Sequence, residues 1–137
     1  MYKSILLAAD GSDNSFRAAK ETLNFVNEGT KVTILNVIGT SESKSDVLHS
    51  GPGESVTVKR KEKLARIIDL YETNNVPYTL DFKQGEPKET VVKVANSGEH
   101  QAVVLGTRGL NSVQEMVLGS VSHKVAKRAE IPVIIIK

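Results

Sequence analysis

The carboxyl-terminal stretch Gln101–Lys137, with the sequence QAVVLGTRGLNSVQEMVLGSVSHKVAKRAEIPVIIIK, decides the fold. It begins with the apolar run 102–105 and passes through a loop that contains Gly106, Gly109 and Gly119. Apolar residues at helical spacing follow the loop, and a second apolar run closes the stretch. The first turn of a helix has unpaired backbone N–H groups, and the helix dipole favours an anion there. The stretch therefore predicts a strand, an anion-binding glycine loop, a helix and a final strand.

The spacing of the glycines is G-x2-G-x9-G-S, from Gly106 to Ser120. This pattern is neither the P-loop G-x4-G-K-[ST], which the chain lacks, nor the compact dinucleotide fingerprint G-x-G-x-x-G. The nine residues between Gly109 and Gly119 carry apolar side chains at nearly helical spacing, which predicts a flap or a short helical turn. Glycines let the backbone approach a ligand closely because they have no Cβ. The alternative is that these glycines are ordinary loop punctuation beside helix caps.

Strand-like and helical patterns alternate along the whole chain. Strands are predicted at 4–9, 32–38, 78–82, 102–105 and 132–136. Helices are predicted from Ser12 or Asp13 to Gly29, from Val56 to Asn74, from Pro87 to Gly98 and from Ser120 to Ala129, with a long polar loop over 39–55. Continuous apolar strands suit a parallel sheet that is covered on both faces. We expect a single α/β domain over residues 1–137. Its doubly wound sheet has strand order 3-2-1-4-5 and is Rossmann-like or flavodoxin-like.

The ends of strands one and four are predicted to line one crevice. In such sheets, ligands bind beyond the carboxyl ends of the strands, where the strand order reverses. Asp10 ends the first strand and Gly106 ends the fourth, so distant parts of the chain meet there. A carboxylate at Asp10 accepts hydrogen bonds either from ribose hydroxyls or from the amides of its own turn. Position alone leaves both interpretations open.

The glycine pattern and the opening segment KSILLAADGS, residues 3–12, resemble the universal stress protein family in its ATP-binding branch. The resemblance covers essentially the whole chain. It implies that Asp10 belongs to the nucleotide site, that the backbone of Val37 bonds the adenine edge, and that Ala9 lies beside the base or ribose. It also implies phosphate contacts from Gly106, Arg108, Gly109, Gly119, Ser120, Val121 and Ser122. The implied ligand is ATP, with Mg²⁺ held through the phosphates, and the implied role is a homodimeric regulator of the stress response.

Composition and charge argue against several other classes of protein. The net charge is +2, from 18 basic and 16 acidic residues, and aromatic residues are 4%, which does not favour nucleic-acid binding. The basic cluster at 59–66 is interpreted as a solvated helix face. Neither a membrane span nor a signal peptide is evident in the sequence, so we expect a cytoplasmic protein without a membrane partner.

The apolar strand 132–136 is expected to be an edge that pairs with a second copy.

No catalytic or metal-binding set of residues is apparent. His49, His100 and His123 are isolated from one another and are expected to be surface or helix residues. The G-x-S-x-G elbow of serine hydrolases is absent from the sequence. The alternatives to a nucleotide-binding module are a slow ATPase or adenylyl-transferring enzyme, an electron carrier whose flavin phosphate meets Ser12 and Ser15, and a protein-interaction dimer without a nucleotide.

Overall fold

Five parallel strands form one sheet in the order β3-β2-β1-β4-β5, as predicted. The structure, a computed structural model, describes residues 2–39, 56–107 and 119–137. The elements are β1 (Ser4–Ala8), α1 (Asp13–Thr22), β2 (Lys31–Ile38), α2 (Val56–Lys63), α3 (Ala65–Thr73), β3 (Tyr78–Gln84), α4 (Pro87–Ala95), β4 (Ala102–Gly106), α5 (Ser120–Arg128) and β5 (Val133–Ile136). The central strand β1 pairs with β2 and β4, which places the reversal of strand order between β1 and β4.

Each face of the sheet is covered by helices around its own apolar core. On one face, α1 and α3 pack against the sheet through Ile5, Leu7, Ala18, Ala19, Ile34, Leu64, Ile67 and Tyr71. On the other face, α4 and α5 do the same through Leu6, Leu35, Val91, Val94, Ala95, Val103, Leu105 and Val125. Adjacent residues of β1 thus belong to opposite cores, because successive side chains of a strand point to opposite faces. The predicted two-sided cover is confirmed.

Helix α1 ends earlier than the sequence predicts. It stops at Thr22, with Leu23 as its C-cap, and does not continue to Gly29. The buried hydroxyl of Thr22 donates to the carbonyl of Ala19 at 2.5 Å and lies 2.7 Å from the hydroxyl of Tyr71. A hydroxyl that bonds to the backbone competes with the helical ladder. The chain continues as tight turns, while its apolar side chains still pack on the core.

The helix predicted from Val56 to Asn74 is two helices, separated at Leu64. The N–H of Leu64 bonds to the carbonyl of Lys61, one residue short of the α-helical partner, and its dihedral angles are φ −96° and ψ 5°. Leu64 itself is fully buried, so the apolar spacing continues through the break and conceals it. The described helices have 8 to 10 residues, and none of them is both long and apolar enough to cross a bilayer.

The two edge strands of the sheet differ in their chemistry. Strand β3 carries Asp81 and Lys83, whose charged groups lie 3.8 Å apart. Strand β5 consists of one valine and three isoleucines, all of them partly exposed. Charged side chains on an edge oppose pairing with another chain, whereas an apolar edge invites it. In the described part of the chain, β3 is therefore an edge protected against strand pairing, and β5 is an edge that favours it.

Candidate functional site

The loop after β1 places Asp10 at the point where the strand order reverses. Asp10 is partly exposed, and its Oδ1 accepts a hydrogen bond from the backbone N–H of Ser12 at 3.0 Å. Gly11 lies between them with φ +86°, and a Cβ there would meet the backbone oxygen of Lys63 at 3.0 Å. The loop is therefore held from inside by the carboxylate and packed from outside by the end of α2.

Of the two N-cap residues that the sequence allows, Ser12 and Asp13, it is Ser12 that caps α1. Its hydroxyl oxygen accepts from the N–H of Ser15 at 3.1 Å, and the hydroxyl of Ser15 donates back to the carbonyl of Ser12 at 3.0 Å. Both serines are buried. Their hydroxyls thus satisfy the start of the helix. This arrangement gives no support to the alternative in which the same two hydroxyls hold a flavin phosphate.

Gly106, the last residue of β4, is required by packing against α1. A Cβ at this position would lie 2.6 Å from Cγ of Asn14 and 3.1 Å from the backbone oxygen of Asn14. Asn14 is buried and donates from Nδ2 to the carbonyl of Ile136 at 3.3 Å. Asn14 thus joins the start of α1 to the ends of β4 and β5. The sequence analysis did not identify it, because no local pattern connects it with either strand.

Thr107 fixes the two ends of the glycine segment to each other. Its carbonyl accepts from the N–H of Gly119 at 2.6 Å, and its N–H donates to the carbonyl of Ile136 at 3.0 Å. The buried hydroxyl of Ser122 lies 3.3 Å from the Thr107 carbonyl and 3.1 Å from that of Gly119. The beginning of α5 is therefore anchored to the end of β4. Thr107 is a second residue that the sequence analysis missed.

Helix α5 begins one residue earlier than an N-cap at Ser120 would place it. Gly119 is the N-cap residue, with φ −70° and ψ 167°, and Ser120 is the first helical residue. Ser120 is exposed and Val121 is half-buried. The N–H groups of the first helical turn have no acceptor within their own helix and point beyond its start. They face the same edge of the sheet as the loop that carries Asp10.

Ala9 and Val37 lie at the ends of neighbouring strands. Ala9 is buried, and its N–H donates to the carbonyl of Leu35 at 2.9 Å, so β1 and β2 remain bonded up to this level. Val37 is half-buried on β2. Between them, Asn36 donates from Nδ2 to the carbonyl of Ala9 at 2.8 Å and is buried. The two residues predicted beside the base are thus held together by a buried asparagine.

Two sequence interpretations need correction. In the basic cluster at 59–66, Lys61, Lys63 and Arg66 are exposed as expected, but Arg60 is only 3% exposed, so this face is not uniformly solvated. His100 is also buried rather than a surface residue, and its Nδ1 lies 3.1 Å from the hydroxyl of Ser4. Burial lowers the pKa of His100 below 6.5. The spacing of residues along one helix or loop could not reveal that Arg60 and His100 are buried.

Some predicted features lie outside the described residues. These are Arg108, Gly109, the apolar segment 110–118 and the polar loop from residue 40 onward, which includes His49. Within residues 2–39, 56–107 and 119–137, no group of three or more histidine, aspartate or glutamate side chains is arranged to hold a metal ion. A cation at this edge would therefore need other ligands.

The strand order and two-sided cover define a class, the doubly wound α/β proteins with a crevice between β1 and β4. The model of the "Universal stress protein family" matches residues 1–137. A universal stress protein from Thermus aquaticus is 32% identical over an alignment of 140 residues that covers 100% of each chain. The chain therefore belongs to the universal stress protein family.

Solved structures agree with this membership. The structure of hypothetical protein MJ0577 is 28% identical, with a TM-score of 0.85 over 100% of this chain and 96% of that one. A universal stress protein in complex with cAMP is 20% identical, with a TM-score of 0.73 over 99% and 97% of the two chains. A family member from Arabidopsis thaliana with AMP bound is 21% identical, with a TM-score of 0.68 over 98% and 90%. The last two similarities concern the fold.

Proposed function

We propose that this protein binds an adenine nucleotide, ATP with Mg²⁺ on its phosphates, in the crevice between β1 and β4. The observation that carries the proposal is the anchored start of α5. The hydrogen bond from the N–H of Gly119 to the carbonyl of Thr107 holds the first turn of α5 at the carboxyl edge of β4. A helix start at this position favours phosphate. Solved structures of the same fold are complexes with cAMP and with AMP, which supports an adenine ligand.

Each end of the nucleotide has a set of residues to meet it. At the base and ribose end, we assign the ribose hydroxyls to the carboxylate of Asp10, and the base to Ala9 and Val37. At the phosphate end, we assign Gly106, Arg108, Gly109, Gly119, Ser120, Val121 and Ser122. The hydroxyl of Ser122 is buried against two backbone carbonyls. Its backbone N–H is therefore the group that we assign to the phosphate, while its hydroxyl shapes the turn.

We assign Mg²⁺ to the phosphates of the nucleotide rather than to a site built by the protein alone. The described residues provide no group of three carboxylate or histidine ligands. Mg²⁺ keeps several water molecules and is commonly bound through substrate phosphates and one or two carboxylates. In the proposed complex, phosphate oxygens and water molecules therefore supply most of the ligands of Mg²⁺.

The proposed role is that of a cytoplasmic, homodimeric switch in the stress response. The dimer would form through β5, because its four aliphatic residues are partly exposed on an edge strand without a charge. A regulator needs binding rather than turnover, and no residue of the crevice is assigned to activate a water molecule. A phosphate-release assay separates this role from that of a slow ATPase.

Calorimetric titration of nucleotide-free protein with ATP and Mg²⁺ tests the proposal. We expect a micromolar dissociation constant, and no heat of binding up to millimolar ATP would contradict it. Asp10→Asn keeps an oxygen for the N–H of Ser12 but removes the charge, so the loop should persist while ribose binding weakens about tenfold. Asp69→Asn, on the exposed face of α3, is the matched control and should leave the affinity unchanged.

A further inference from the structure

An ion pair joins the first turn of α4 to the second turn of α5. The ammonium of Lys124 donates to Oε1 of Glu89. Glu89 lies in the first turn of α4, and Lys124 is the fifth residue of α5. Neither residue was singled out by the sequence, because the two are 35 positions apart and belong to different elements.

The order of the elements places this ion pair toward the carboxyl edge of the sheet. Both helices follow a strand of the parallel sheet, so both begin at its carboxyl edge. Helix α4 packs on Leu6 of β1 and Leu35 of β2, while α5 packs on the same core beside β4. The starts of α4 and α5 therefore flank the position between β1 and β4 where the strand order reverses. The Glu89–Lys124 pair, which links the first turn of α4 to the second turn of α5, is therefore on the side of the sheet where we assign the phosphates.

The side chain of Lys124 is long enough to reach the first turn of α5. Its Cα is about 6 Å along the helix axis from that of Ser120, at 1.5 Å per residue. Helical side chains tilt toward the N-terminus of their helix, so the lysine extends back over the first turn. An extended lysine covers this distance. A change of rotamer would thus bring the ammonium from Glu89 to an anion bound at the first turn of α5.

We propose that Lys124 is a phosphate-binding residue that Glu89 holds in the free protein, and that nucleotide binding transfers its ammonium from Glu89 to the phosphates. This inference rests on the proposed function. It concerns which phosphates are recognised: a residue that acts through charge discriminates a polyphosphate from a monophosphate.

The transfer is favourable because the bond that breaks is exposed and the bond that forms is highly charged. The side chains of Lys124 and Glu89 are 32% and 67% exposed, and exposed ion pairs contribute little to stability. Glu89 keeps other favourable neighbours when the lysine leaves, since Lys88 and Arg128 also lower its pKa and the start of α4 attracts a negative charge. A polyphosphate offers the ammonium several negative charges in place of one.

The test compares charge removal at three positions by calorimetry with ATP and with AMP. Lys124→Met should weaken ATP binding about tenfold and AMP binding much less. Glu89→Gln removes the competitor while keeping side-chain size, so it should tighten ATP binding severalfold. Lys127→Met, an exposed lysine in the last turn of the same helix, is the matched control and should change neither affinity.

The outcomes separate this inference from the proposed function. If the unmodified protein binds no ATP, the proposed function fails and this inference fails with it. If ATP binds but Lys124→Met behaves like Lys127→Met, only the role of Lys124 is wrong. An ATP affinity that Glu89→Gln leaves unchanged or lowers would also overturn the exchange. Circular dichroism of each variant shows whether the fold is retained, and Glu89→Gln provides an expected gain that misfolding could not produce.

Discussion

Replacing Gly106 by alanine tests whether the end of β4 is closed by packing against α1. The added Cβ would lie 2.6 Å from Cγ of Asn14 and 3.1 Å from the backbone oxygen of Asn14. The side chain of Asn14 can rotate away, but its backbone oxygen belongs to the first turn of α1. The substitution therefore requires both a new rotamer of Asn14 and a small shift of the helix.

The expected cost follows from these contacts. Overpacking a close-packed site costs about 1–3 kcal/mol. Rotating Asn14 also removes its hydrogen bond to the carbonyl of Ile136, whose net contribution is about 1 kcal/mol. Alanine offsets about 0.4–1 kcal/mol of this cost by restricting the unfolded chain. Gly106→Ala should thus lower the free energy of unfolding by about 1–3 kcal/mol.

Urea denaturation followed by circular dichroism measures this free energy. Gly29→Ala is the matched control, because a Cβ there would meet nothing nearer than 3.8 Å and the change should be within about 0.5 kcal/mol. Repeating Gly106→Ala in an Asn14→Ala background removes Cγ and Oδ1, so the penalty should fall by about 1 kcal/mol or more. Equal effects at Gly106 and Gly29, or the same penalty in both backgrounds, would refute the packing explanation.

Three further predictions follow from contacts described above. Tyr71→Phe should lower the free energy of unfolding by about 1 kcal/mol, because its buried hydroxyl bonds Thr22 at 2.7 Å; an unchanged urea midpoint would contradict that bond. Burial lowers the pKa of His100 below 6.5, so the unfolded chain binds more protons there, and stability should be full above pH 6.5 and decline below it. In denaturation curves across pH, His100→Gln should reduce that decline, and an identical profile would exclude His100 as its source. Gly119→Val should abolish ATP binding in calorimetry while the fold persists, since φ −70° and ψ 167° suit any residue; undiminished affinity would refute the phosphate assignment.

The sheet could be predicted because its signals are local. Continuous apolar runs separated by helical spacing determine the number of strands, and the alternation determines a parallel sheet. Apolar periodicity, however, reports which side chains are buried and not whether the backbone continues as a helix. The break at Leu64 keeps the same buried face on both sides, and the early end of α1 depends on the hydroxyl of Thr22. Both errors arise from hydrogen bonds that periodicity does not represent.

The sequence predicted which strand ends form the candidate site, because their positions follow from the strand order. The strand ends that carry Asp10 and Gly106 follow from topology, and the strand order brings them to one edge. The glycine at 106 was interpreted as access for a ligand, but its nearest neighbour is Asn14, which is 92 positions away in the sequence. The bond between Thr107 and Gly119 and the ion pair of Lys124 are also tertiary contacts. A single sequence carries no record of such pairs.

The contrast between the two sheet edges has a consequence for the size of any assembly. Pairing of β5 with β5 of a second copy would leave a β3 strand at each outer end of the joined sheet. Those ends carry Asp81 and Lys83, whose charges oppose hydrogen bonding of a further strand to the sheet. Joining β5 to β3 would instead repeat without limit and produce a filament. We therefore expect growth to stop at two copies, with the charges on β3 opposing the continued strand pairing that would build a fibre.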